Sequence, residues 1–190
     1  MTRRHGPGGY ADYSSYRPWL RDDFTFRCVY CLIRERWGRV TGEFDLDHFA
    51  PQALNAERST EYENLFYACH PCNLRKGPRE LPDASSEFTR EALRLYPNGE
   101  PEGLTTGAKS LIRALCLNSP KLVRWRQCWL RIVALAEEHD PGLFADLMGY
   151  PDDLPDLSKL SAPSNSKPEG VGEGYFARRE RGELPEVYSV

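Results

Sequence analysis

No apolar run in this 190-residue chain approaches the roughly 20 residues needed to cross a bilayer. The opening residues, Met1-Thr2-Arg3-Arg4-His5-Gly6-Pro7, lack the apolar stretch of a secretory signal, so the expectation is a soluble, cytoplasmic protein with no membrane role. An excess of positive charge is missing too: 25 Lys and Arg stand against 28 Asp and Glu, a net charge of −3. That balance argues against a uniformly cationic nucleic-acid coat, but the average conceals segregation. Acidic residues are absent from Gly103 to Leu135, where Lys109, Arg113, Lys121, Arg124, Arg126 and Arg131 are all basic, and the chain turns strongly acidic from Glu137 onward. Apolar residues become sparse after Tyr150, which excludes a second large core there.

What is present is enough for one sizeable domain, or for a small domain with an appendage. Six cysteines in an intracellular chain are better read as metal ligands than as a disulfide framework, because four of them form two close pairs, Cys28-Val29-Tyr30-Cys31 and Cys69-His70-Pro71-Cys72. Four thiolates satisfy the tetrahedral geometry of a structural Zn²⁺ and leave no open position for substrate. The interval between Cys31 and Cys69 is too long for a plain zinc ribbon and leaves room for a hairpin tied at its base. Cys116 and Cys128 lie in apolar helical patterns and are expected to be buried.

Residues 1–9 are rich in Gly, Pro and Arg and read as a flexible lead. Pro18 to Phe24 suits a short helix with Pro in its first turn, and the aromatics of Tyr10 to Phe26 are expected to cover the cysteine module. Arg39 to His48 alternates like a strand, with Phe44 and Leu46 on one face and Asp45 and Asp47 on the other. Asn64 to Ala68 reads as a second strand, and Pro71 to Lys76 as a helix stopped by Gly77-Pro78. Further along, Ser85 to Leu95 has helical spacing, Thr105 or Thr106 caps a helix through Leu117, and Asn118-Ser119-Pro120 opens a helix ending near His139. Its stripe of Leu122, Trp125, Trp129, Ile132, Val133 and Ala136 is expected to face a core. The division expected is a lead (1–9), a metal-stapled module (10–82), a helical region (83–149) and an irregular acidic tail (150–190).

Between the cysteine pairs stands Asp45-Leu46-Asp47-His48-Phe49-Ala50-Pro51-Gln52, and Asn73 follows Cys72 directly, with Lys76-Gly77 behind it. Cys-x-x-Cys, Asp-His with a nearby Pro, Asn64, Cys-x-x-Cys-Asn and Lys-Gly together resemble the HNH endonuclease family, over about a quarter of the chain. The resemblance implies an α+β fold: a ββα-metal module with a four-Cys zinc site, followed here by a small helical region and the acidic tail. It also implies that His48 is the general base, that Asp47 and Asn73 hold Mg²⁺ or Mn²⁺, and that Asn64 holds the loop carrying the base. Asn73 stands where the family often has His, and it keeps an oxygen ligand.

Physical chemistry agrees with these roles. A neutral, oriented imidazole can take a proton from water near pH 7, and Mg²⁺ prefers oxygen donors. Hydrolysis of a DNA phosphodiester would then leave 5′-phosphate and 3′-hydroxyl ends. Lys76 and Arg75 are expected to touch the substrate backbone, with Lys121 and Arg124 gripping it further along, while His70 reads as an idle surface side chain. Two other expectations stand beside this one: a non-catalytic zinc module that binds nucleic acid or protein, and the cutting subunit of a DNA-processing or antiphage defence assembly. In the latter a protein partner would supply target recognition and the tail would serve interaction or autoinhibition.

Overall fold

The computed structural model describes residues 3–38 and 44–188. Contacts group the chain into two compact units, residues 1–80 with 151–185, and residues 81–150 with 186–190. Among the described residues no helix is long and apolar enough to cross a membrane.

The first unit begins with helix α1, Arg17–Asp23, whose Pro18 occupies the first turn where its missing N–H is not needed. It buries Trp19 and Leu20. Strands β1, Phe44–His48, and β2, Leu65–Cys69, form an antiparallel pair in which Phe44 faces Cys69 and His48 faces Leu65. The part of the expected first strand over residues 39–43 lies outside the described residues. All five β2 residues are buried, and the Phe44 and Tyr67 rings stack at 4.9 Å. Helix α2, His70–Lys76, follows β2 directly and ends at Gly77, whose φ of +54° is unfavourable for a side-chain-bearing residue. The order β1, β2, α2 is the ββα arrangement. The first cysteine pair is fastened to it by the Val29 amide, which donates to the Tyr67 carbonyl at 2.9 Å. Tyr16, Trp19, Phe24, Phe26, Tyr30 and Tyr67 are nearly or fully buried, the aromatic cover a small metal-stapled unit needs.

Two terminal segments make contacts within the first unit. In the lead, the Arg4 amide donates to Asp23 Oδ1 at 2.8 Å, and buried His5 Nε2 lies 2.9 Å from Asp22 Oδ1. The expected irregular tail returns to the first unit and contains helix α7, Tyr175–Glu180, once the remaining helices of the second unit have intervened. The Gly8 amide donates to Asn165 Oδ1 at 3.0 Å, and the Tyr175 amide donates to Asp22 Oδ2 at 2.8 Å. The few apolar residues of this segment are spent on that docking, with Leu157, Ala162 and Tyr175 all buried.

In the second unit, the expected helix over 85–95 is only the short α3, Ala84–Glu87, capped by the Asp83 side chain. Leu93–Leu95 and Pro101–Gly103 instead pair as strands β3 and β4. The turn between them decides this: Gly99 takes φ +85° and its amide donates to Tyr96 O at 2.8 Å, closing a hairpin that helical propensity alone does not reveal. Helix α4, Thr106–Ala114, is capped by Thr105 Oγ1 on the Ala108 amide. It stops three residues short of the expected end, at a turn where Cys116 takes φ +50°, so Leu115 and Leu117 point inward and Cys116 outward. Helix α5, Pro120–His139, and helix α6, Pro141–Met148, complete the unit. Only Ala136 is buried on α5; Trp125 and Trp129 are half-buried, their rings 5.9 Å apart, and Cys128 is exposed. The expected burial of both extra cysteines is thus corrected: Cys116 lies on the outer side of the turn after α4, and Cys128 lies at an exposed position of α5.

Candidate active site

The four sulfurs of Cys28, Cys31, Cys69 and Cys72 lie within 4.8 Å of one another, and none is in a disulfide. Cys31 Sγ and Cys69 Sγ are 3.6 Å apart, against about 3.8 Å between sulfurs at the corners of a zinc tetrahedron. Amides of Tyr30 and Cys31 point at Cys28 Sγ, 3.4 and 3.5 Å away. Burial opposes ionisation of Cys28, but hydrogen bonds from Cys31, Cys69 and Cys72 outweigh it and hold this thiol well below its usual range. The same contacts push Cys31 and Cys72 upward. Sulfurs this close cannot share negative charge without a cation, and the set fits Zn²⁺.

From that anchor the neighbouring side chains are aimed at one cleft, lined by Asp47, His48, Asn73 and Lys76 with Tyr13 and Pro51 among the flanking residues. Strand alternation puts Asp45 and Asp47 on one face, and His48 reaches the same cleft because β1 ends there. His48 Nε2 sits 2.9 Å from the Ser59 carbonyl oxygen. A carbonyl only accepts, so Nε2 carries the hydrogen and Nδ1 of the neutral ring carries the lone pair. The Tyr13 ring packs edge-on against the imidazole at 4.9 Å.

Asn64 is fully buried and acts within the loop that joins β1 to β2. Its Oδ1 accepts from the Ala50 amide at 2.7 Å, and its Nδ2 donates to the carbonyls of Ala50 at 3.2 Å and Arg58 at 3.0 Å. One side chain therefore ties both ends of the loop that supplies the Ser59 carbonyl to His48.

Asp47 is gripped on both oxygens. Tyr30 donates to Oδ2 at 2.5 Å and the Lys76 ammonium to Oδ1 at 3.1 Å. Burial raises its pKa, opposed by the charge of Lys76 and the hydrogen bond from Tyr30. Each carboxylate oxygen retains a lone pair, so the group fits as a ligand for a hard cation. Asn73 Nδ2 donates to Asp45 Oδ2 at 2.9 Å, and its Oδ1 is the atom with ligand character. An oxygen pair of this kind suits Mg²⁺ or Mn²⁺.

Lys76 requires a correction. Expected on the substrate backbone, its side chain is 1% exposed, with Nζ donating to Asp47 Oδ1 and, at 2.6 Å, to the His48 carbonyl. Arg75 is exposed on α2, and Lys121 and Arg124 are exposed on α5 of the second unit, where Arg124 bonds Gln127 at 3.2 Å. His70 is exposed but not idle, since its Nδ1 lies 2.9 Å from Asp45 Oδ2. Sequence reasoning assigned no role to Tyr30, Asp45 or the Ser59 carbonyl, and placed Tyr13 only among the aromatics covering the cysteine module. Two carried a legible signal: Tyr30 lies inside a cysteine pair, and Asp45 lies two residues before Asp47 on the same strand face.

Residues 28–79 match the family model described as HNH endonuclease. Comparison with curated proteins finds no match. The ββα order, the four-sulfur cluster and this match fall on one segment, so residues 28–79 are similar to the HNH endonuclease family in sequence and in the order of their elements.

Proposed function

We propose that the protein is a zinc-stapled endonuclease that hydrolyses phosphodiester bonds in DNA with one catalytic Mg²⁺ or Mn²⁺ and His48 as general base. The observation that supports it most directly is the His48 ring, whose Nε2–H is committed to the Ser59 carbonyl, 2.9 Å away, leaving Nδ1 as the basic atom. Nδ1 takes a proton from water as the water oxygen bonds to phosphorus and the 3′-oxygen departs. The Ser59 carbonyl stabilises the imidazolium that results. Asp47 and Asn73 would hold the divalent cation, which when bound neutralises phosphate charge and the charge developing on the departing oxygen. Lys76 keeps the Asp47 carboxylate and the His48 backbone in register, and Asn64 keeps the loop closed over the base. Arg75, Lys121 and Arg124, all exposed, are proposed to contact backbone phosphates.

The test is cleavage of supercoiled plasmid DNA by zinc-loaded protein with added Mg²⁺, beside a His48→Ala protein of equal zinc content. A loss of about 100-fold or more is expected on removing the base. Equal cutting by the two proteins rejects the assignment.

A further inference from the structure

We propose that Asp45 is a positioning residue that decides which end of the Asn73 carboxamide faces the candidate cation. The inference rests on the reading of Asn73 as a cation ligand given under Proposed function. A carboxamide binds a hard cation through oxygen only, yet its oxygen and nitrogen ends are nearly the same size, so shape alone does not select between them. Something must reject the wrong orientation.

Asp45 Oδ2 lies 2.9 Å from Asn73 Nδ2. An ionised carboxylate only accepts hydrogen bonds, so it pairs with the N–H end and repels the oxygen end. With Nδ2 committed there, Oδ1 is the end left to a cation. Asp45 is itself steadied, because His70 Nδ1 lies 2.9 Å from the same oxygen. The strand places Asp45 beside Asp47 on one face, so a single short strand supplies both the carboxylate ligand and the group that orients the amide ligand. Partners of ligands in metal sites act in this way, and removing one lowers metal affinity by about 10- to 100-fold.

The experiment is Mn²⁺ titration of the full-length, zinc-loaded protein, with free Mn²⁺ read by electron paramagnetic resonance, for four proteins: wild type, Asp45→Asn, Asn73→Asp and the double substitution. Asp45→Asn keeps the shape but adds an N–H donor that pairs equally well with a flipped amide. It is expected to weaken Mn²⁺ binding by about tenfold with zinc content unchanged. A carboxylate at position 73 has no wrong end, so in the Asn73→Asp background the same Asp45→Asn change is expected to leave affinity unchanged or to raise it by relieving repulsion. Equal weakening in both backgrounds overturns the proposal in favour of direct ligation or bulk charge. Equal affinity of wild type and Asp45→Asn overturns it as well. A wild type that binds zinc but no Mn²⁺ defeats the cation-site reading itself and this inference with it, an outcome distinct from the other two.

Discussion

Tyr30 and Asp47 join the sulfur cluster to the candidate catalytic cleft: the tyrosine sits between Cys28 and Cys31, and its hydroxyl donates to Asp47 Oδ2 at 2.5 Å. On the opposite side Asn73 follows Cys72 without an intervening residue. Both candidate cation ligands are thus reached from the cysteine pairs, one through a hydroxyl and one through the backbone.

Replacing Tyr30 by Phe removes only that hydroxyl. The protein is expected to keep its zinc, measured by metal analysis, and to lose about 1–3 kcal/mol of stability in urea denaturation, since a buried carboxylate oxygen loses a donor. DNA cleavage is expected to fall alongside. Unchanged stability and cleavage would show the contact to be idle.

Lys76→Met separates a buried role from a surface role. The Lys76 ammonium is enclosed, bonded to Asp47 and to the His48 carbonyl, so its removal leaves a buried carboxylate without its counter-ion and is expected to destabilise the protein by about 3–5 kcal/mol. A cation that merely touched phosphates would instead leave the unfolding midpoint in place and flatten the salt dependence of DNA binding.

Chelation of the zinc is expected to unfold the first unit, because metal binding there is part of the folding free energy. Near-ultraviolet circular dichroism, to which the buried Tyr16, Trp19, Tyr30 and Tyr67 of that unit contribute, reads the change. Retention of the full aromatic signal after metal loss would contradict it.

Ending the chain after Tyr150 removes the backbone donor to Asp22 Oδ2 together with the apolar cover from Leu157, Ala162 and Tyr175. Thermal unfolding is expected to shift down by the equivalent of at least about 2 kcal/mol, and cleavage to decline with it. Faster cleavage by an equally stable truncated protein would instead support an autoinhibitory role for this segment.

Much of the module was legible because its signals are local. The strands show as alternation around Leu46 and Tyr67, α2 as Pro71 at its start and Gly77 at its end, and the metal cluster as two Cys-x-x-Cys pairs. The residues brought to the cleft were legible only through combined motifs, since an Asp-His pair alone is unremarkable. What escaped depends on distant partners. Lys76 looks like a surface cation until Asp47 and the His48 carbonyl enclose it, and residues 151–185 look unanchored until Asp22 and the lead residues receive them. The hairpin of β3 and β4 was hidden because Ser85 to Leu95 has helical spacing, while the turn at Gly99 settles the outcome.

The outward placement of Cys116 and Cys128 makes the protein easy to instrument. A maleimide dye added to metal-loaded protein would mark those two thiols, and the other four would react only as the cluster is emptied. Dye stoichiometry then becomes a gauge of cluster occupancy that needs no substrate. Changing the same two cysteines to serine would prevent cross-linking between molecules in air without disturbing the cluster.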